Sequence, residues 1–132
     1  MARRRTRRKT ETQIEASELA VRFARAAHDK KAEDIIVLDL RGRSQVTDLF
    51  VLATANNPRQ RTAVAEAIRD VADEVGARLY GSEGEGGGRW MLLDYVDVVA
   101  HLFDAEWREL YDLELLWGDA PRIEWREPGS EG

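Results

Sequence analysis

Residues 89–104 read RWMLLDYVDVVAHLFD, a mostly apolar run interrupted by the carboxylates of Asp94 and Asp97 and the imidazole of His101. Carboxylates and a histidine close together are the material of a metal site or an acid–base pair. Spacing decides whether they act together. On a helix, Asp97 and His101 would be neighbours at four residues apart. On a strand they share a face but stand roughly 13 Å apart at ~3.3 Å per residue, too far for one metal ion. The stretch reads as two strands, roughly 89–94 and 97–103, with Asp94 near the turn between them, where aspartate often bonds local backbone.

Other candidate chemistry is weaker still. His28 is the only other histidine, and the chain has no cysteine. The serines, at 17, 44, 82 and 130, do not fall in a G-x-S-x-G elbow. The loop GSEGEGGG (81–88) matches neither the phosphate-binding pattern nor its strand–loop–helix setting, and Glu83 and Glu85 would repel phosphate. One enzymatic alternative stays open: Asp34, Asp39 and Asp48 approach one another across a hairpin, as carboxylates do in nucleotide-transfer or metal-dependent enzymes. The simpler reading is solvated strand ends.

The elements that would position these groups follow from periodicity. Over 11–28, Ala16, Leu19, Ala20, Phe23, Ala24 and Ala27 recur at helical steps. IIVLDL (35–40) and TDLFVLAT (47–54) read as strands, and the short link between them demands antiparallel pairing. NNPRQRTAVAEAIRDVADEVG (56–76) is a helix capped by Asn57, with Pro58 in its first turn and Gly76 at its end; Val64, Ala67, Ile68, Val71 and Val75 form its buried stripe. ARLY (77–80) is a short strand, 81–88 a flexible loop, and about 105–116 a terminal helix. The order α-β-β-α-β-β-β-α predicts an α/β (α+β) domain with a single mixed sheet of about five strands flanked by helices. A basic arm over 1–12 is expected to be disordered, the domain to span 13–121, and 122–132 to form an irregular tail.

Charge narrows the partners. Of 20 basic and 25 acidic residues, six basic ones (Arg3, Arg4, Arg5, Arg7, Arg8 and Lys9) lie in residues 1–10, leaving 14 against 25 over the other 122 residues, a balance of −11. Phosphates repel such a body, which suits a basic protein better than nucleic acid. The arm is either a weak RNA contact or a tail without a role in the fold. Apolar runs are too short to span a membrane, there is no apolar secretory leader, and the arm is a poor match to a transit peptide; the expectation is a cytoplasmic protein. In the last hairpin, alternation puts Trp90, Leu92 and Asp94 on one side and Met91 and Leu93 on the other. That side is either a binding surface or simply covered by the terminal helix.

Several separated blocks together resemble the ribosomal silencing factor family (RsfS, Iojap-like): DKKAEDI, TDLFVLAT followed by N-x-x-x-Q, RW-x-L-x-D, DVV-x-H-x-F, and R-x-L-Y-x-L-E-x-L-W-x-DAP. The resemblance runs from about Ser17 to Pro121. It implies a nucleotidyltransferase-like topology without catalysis and without cofactors. It implies binding to the large ribosomal subunit through ribosomal protein uL14 at the intersubunit face, obstruction of small-subunit docking, and repression of translation under nutrient limitation. Links to large-subunit maturation and self-association as a homodimer come with it. Carried over block by block, the partner-binding residues are Trp90, Leu92, Asp94 and Tyr95, then Asp97, Arg108 and Tyr111, with His101 and Tyr111 equally suited to structural roles. Two features depart from the family: Val96 stands where a small residue, commonly glycine, is usual, and the Arg-rich arm lies outside the pattern.

Overall fold

A computed structural model describes residues 14–45, 47–84 and 88–128. The arm with Arg3, Arg4, Arg5, Arg7, Arg8 and Lys9 lies outside these residues. Among them the order is α1 (Ala16–Asp29), β1 (Glu33–Asp39), β2 (Leu49–Thr54), α2 (Pro58–Glu74), β3 (Gly81–Glu83), β4 (Trp90–Asp94), β5 (Val98–Phe103), α3 (Ala105–Tyr111) and α4 (Leu113–Leu116). The strands form one mixed sheet in the order β1-β2-β5-β4-β3. The expected β1–β2 hairpin is antiparallel, β2 and β5 pair in parallel, and β4 pairs antiparallel with both β5 and β3.

The sheet has two apolar faces because its inner strands alternate between two kinds of cover. Val37, Val51, Ala53, Leu93, Val98, Ala100 and Leu102 point to one face and pack with the alanine-rich stripe of α1, its Phe23, and Val64 and Ile68 of α2. Leu38, Leu52 and Phe103 point to the other, where Trp107 of α3, Leu113 of α4 and Trp117 meet them. The central strand β5 is consequently buried along its whole length. Asn57 caps α2 by accepting the amide of Gln60 at 2.8 Å, as its position before Pro58 predicts.

Two expectations need correction. The third strand is not ARLY but Gly81–Glu83, inside the segment read as a flexible loop. Pairing with β4 decides this: the Tyr80 amide bonds the Asp94 carbonyl at 2.7 Å, and Gly81 and Glu83 then register against Asp94 and Leu92. Of ARLY only Ala77 reaches the core; Leu79 and Tyr80 remain exposed. The terminal helix is broken, because Asp112 adopts a left-handed backbone (φ 46°) and its carboxylate caps α4 through the Leu115 amide at 3.1 Å. Residues 122–128 are irregular and mostly exposed, but Ile123 and Trp125 dock on the sheet. Ile123 and Trp125 donate to the carbonyls of Val37 (2.9 Å) and Ile35 (3.0 Å), covering the free edge of β1, and the Trp125 ring is buried in the helix-side core.

A candidate protein-binding face

The face carrying Trp90, Leu92 and Asp94 is only partly sheltered. All three are half-buried on β4. Trp90 anchors an aromatic cluster: its ring lies 5.3 Å from Tyr111 and 6.2 Å from Phe103, and Tyr111 lies 5.2 Å from Trp107. Phe50 of β2 meets His101 edge-on at 4.5 Å and Trp117 at 6.4 Å. Beside this cluster, Leu110 (69% exposed), Leu115 (76%) and Leu116 (70%) stand in solvent with Tyr111. Three leucines this open on adjoining short helices form an apolar ridge that none of the described residues covers.

Acidic groups rim the patch, and several are held in place. Asp94 accepts the Val96 amide at 2.7 Å, closing the β4–β5 turn in which Val96 takes a left-handed backbone (φ 74°). A β-branched side chain is strained in that conformation. Asp97 sits in the same turn, its carbonyl accepting the amides of Asp48 and Leu49. Asp104 caps α3 by accepting the Trp107 amide at 2.8 Å. Burial pushes its pKa up, but the hydrogen bonds from Arg89 and from the Trp107 amide outweigh that and hold it below the usual carboxylate range. Arg89 in turn lies 5.0 Å over the Trp107 ring and bridges Asp104 (2.8 Å) and Glu106.

Two of the expected contacts lie elsewhere. Tyr95 is 7% exposed and packs 5.1 Å from Phe23 on the helix-covered side, because alternation along β4 sends it with Met91 and Leu93. Arg108 is also 7% exposed: it ties α3 to β2 through Thr54 Oγ1 at 2.8 Å and to α4 through Glu114 at 3.0 Å, over the Phe103 ring. Trp90, Leu92, Asp94 and Tyr111 do come together on one face, with Asp97 at its turn. Sequence reasoning missed Phe50, Leu110, Leu115, Leu116 and Trp117. Alternation along β2, which puts Phe50 beside Leu52, was the signal for the first.

The remaining motif residues serve the scaffold. In the N-x-x-x-Q block, Gln60 accepts the Asn56 amide (3.1 Å) and donates to the carbonyls of Lys30 and Lys31 (3.2 and 2.9 Å), while Asn56 accepts the Ala105 amide (2.8 Å). Buried Arg61 donates to the carbonyls of Ala55 and Gly88 at 2.6 and 3.1 Å, tying the glycine loop to α2. His101 is buried, and burial alone pushes its pKa down to about 4, so it is neutral at pH 7.

The three carboxylates of the enzymatic alternative do not all converge: Asp39 and Asp48 lie near the same hairpin end, but Asp34 stands apart. Asp39 is clamped by Arg41 at 2.8 and 2.9 Å, and that hydrogen bonding holds its carboxyl below the usual range. Asp34 lies in the bulged start of β1, roughly 16 Å along the strand from Asp39 at ~3.3 Å per residue. A cleft of about 930 Å³ between β1, α3 and residues 122–126 is lined by Asp34 but by neither Asp39 nor Asp48. Among the described residues, no group of three or more histidine, aspartate or glutamate side chains is placed to hold a metal ion. None of their helices is long and apolar enough to cross a membrane.

Comparison with known proteins gives this arrangement its context. Residues 13–131 match the family described as "Ribosomal silencing factor during starvation". The ribosomal silencing factor RsfS of Bacillus subtilis is 47% identical over 98 residues, 74% of this chain and 83% of that protein. The chloroplastic protein Iojap of Arabidopsis thaliana is 38% identical over 113 residues, 83% of this chain but 46% of that longer protein. A crystal structure of a Chromobacterium violaceum protein, 33% identical, superposes with a TM-score of 0.76 over 89% of this chain and all of that one. With the family matched across nearly the whole folded region, the chain belongs to the ribosomal silencing factor family.

Proposed function

We propose that the protein silences ribosomes without catalysis: it binds the large subunit through ribosomal protein uL14 at the intersubunit face and keeps the small subunit from docking. The observation that carries this reading is the uncovered face itself, where Trp90, Leu92 and Tyr111 adjoin the leucine ridge within an acidic rim. Aromatic anchors ringed by polar groups are what a binding hot spot requires. Ribosomal proteins are generally basic, so a body of charge −11 complements one and steers its approach. A domain roughly 25–30 Å across, held at a subunit contact, clashes with the incoming subunit and needs no active site.

Within this reading the protein acts in the cytoplasm on free large subunits, and the basic arm adds a minor, salt-dependent contact to ribosomal RNA. Self-association as a homodimer would compete for the same leucines. Mixing the protein with separated subunits should lower the yield of joined ribosomes in a sedimentation profile. Unchanged joining at saturating protein would sink the reading.

A further inference from the structure

His101 lies on the candidate face and the binding reading does not use it. It lies on β5 directly across from Leu92, buried among Phe50, Trp90 and Phe103. Its Nδ1 accepts the indole N–H of Trp90 at 3.1 Å. An indole nitrogen only donates, so Nδ1 carries the lone pair and the ring proton sits on Nε2. That Nε2–H is buried and has no hydrogen-bond partner among the described residues. An unpaired buried donor destabilises a fold, and a phenyl ring in the same aromatic nest would avoid that cost. What the imidazole adds over a phenyl ring is the Nδ1 acceptor, and only Trp90 uses it.

We propose that His101 is a positioning residue for Trp90: it fixes the indole edge so that the ring meets the partner as a rigid anchor. The inference rests on the reading of this face as the interface. Tyr111 and Phe103 hold the indole by its neighbouring rings, but stacking alone does not choose between the two edges of the ring. The hydrogen bond makes that choice. An anchor already fixed loses less side-chain freedom on binding.

A double-mutant cycle tests this with purified large subunits as the binding probe. His101→Phe keeps the volume and removes the acceptor; Trp90→Phe removes the donor. Expected is a loss of affinity of about three- to ten-fold for His101→Phe with near-native melting, and no further loss when it is added to Trp90→Phe. His101→Asn, whose Oδ1 falls near the position of Nδ1, should recover part of the loss. In proton–nitrogen spectra, the indole signal absent from Trp90→Phe should move upfield in His101→Phe, and the imidazole nitrogens of the unmodified protein should report the Nε2–H tautomer. Additive losses in the cycle, or an indole signal unmoved by His101→Phe, would overturn the proposal while leaving the interface standing. Unchanged affinity for Trp90→Phe would instead remove the interface reading, and the indole signal would still decide whether His101 holds the ring.

Discussion

On one face of the sheet, α1 and α2 close over Val37, Val51, Leu93 and Ala100 with small alanines and Phe23, and the seam is buried. On the other, α3 and α4 shelter Phe103 and Leu52 but leave Trp90 and Leu92 half open and three leucines in solvent. The same strands supply both faces. Small residues line the helices on the first; large aromatics pack two short helices on the second. The first face looks optimised for folding, whereas the second carries apolar surface whose burial would contribute to binding rather than to folding.

That contrast can be broken in graded ways. The largest effect should come from Phe23→Ala on the closed face, which opens a cavity and should cost roughly 3–5 kcal/mol of stability in a denaturant melt. Next is pH. An unfolded histidine titrates near its ordinary 6.5, while buried His101 does so at about 4. As pH falls through this window the unfolded chain takes up a proton that the folded protein refuses, so stability should fall by roughly 3 kcal/mol and then level off. Asp39 and Asp104, with pKa values lowered from 3.8, lose their contributions only below that window. Denaturant melts from pH 7 to 4.5 should therefore show a slope that flattens in His101→Phe; equal slopes would contradict burial as its cause.

On the open face, Trp90→Ala should cost at least ~2 kcal/mol of binding if the ring is central, with a smaller effect on melting. Asp94 calls for Asp94→Asn rather than charge reversal, because its side chain also closes the turn through Val96. The amide oxygen keeps that bond, so melting should hold while association slows. The smallest expected effect is Val96→Gly, which relieves the left-handed backbone and should raise stability by about 1 kcal/mol, net of glycine's entropy. A drop in melting temperature would show that the Val96 side chain contributes more by packing than its backbone costs.

Much of this architecture was legible in the chain. Period-two alternation placed Trp90, Leu92 and Asp94 together, and the helical stripe of α1 named most of its buried residues. That of α2 named Val64 and Ile68 but took half-buried Ala67 and Val71 in place of Arg61, Ala65 and Ala72. The same alternation places Tyr95 with Met91 and Leu93; only its adjacency to a family block suggested the other side. Arg108 was not legible, since its partner Thr54 lies 54 residues away and a buried cation leaves no local pattern. Nor was β3, where the edge of β4 outweighed the strand propensity of ARLY. The leucine ridge escaped because Asp112 breaks what reads as one helix.

The central claim is that the open face, and not the acidic body as a whole, holds the large subunit. The direct measurement is co-sedimentation of the protein with isolated large and small subunits, comparing the unmodified chain with Leu115→Ser combined with Leu116→Ser. Both leucines are exposed, so the variant should melt within about 0.5 kcal/mol of the original. The account predicts that the unmodified protein pellets with large subunits alone and that the natively folded variant stays in the supernatant. A natively folded variant that still pellets with large subunits, or an unmodified protein that pellets equally with both, would contradict it.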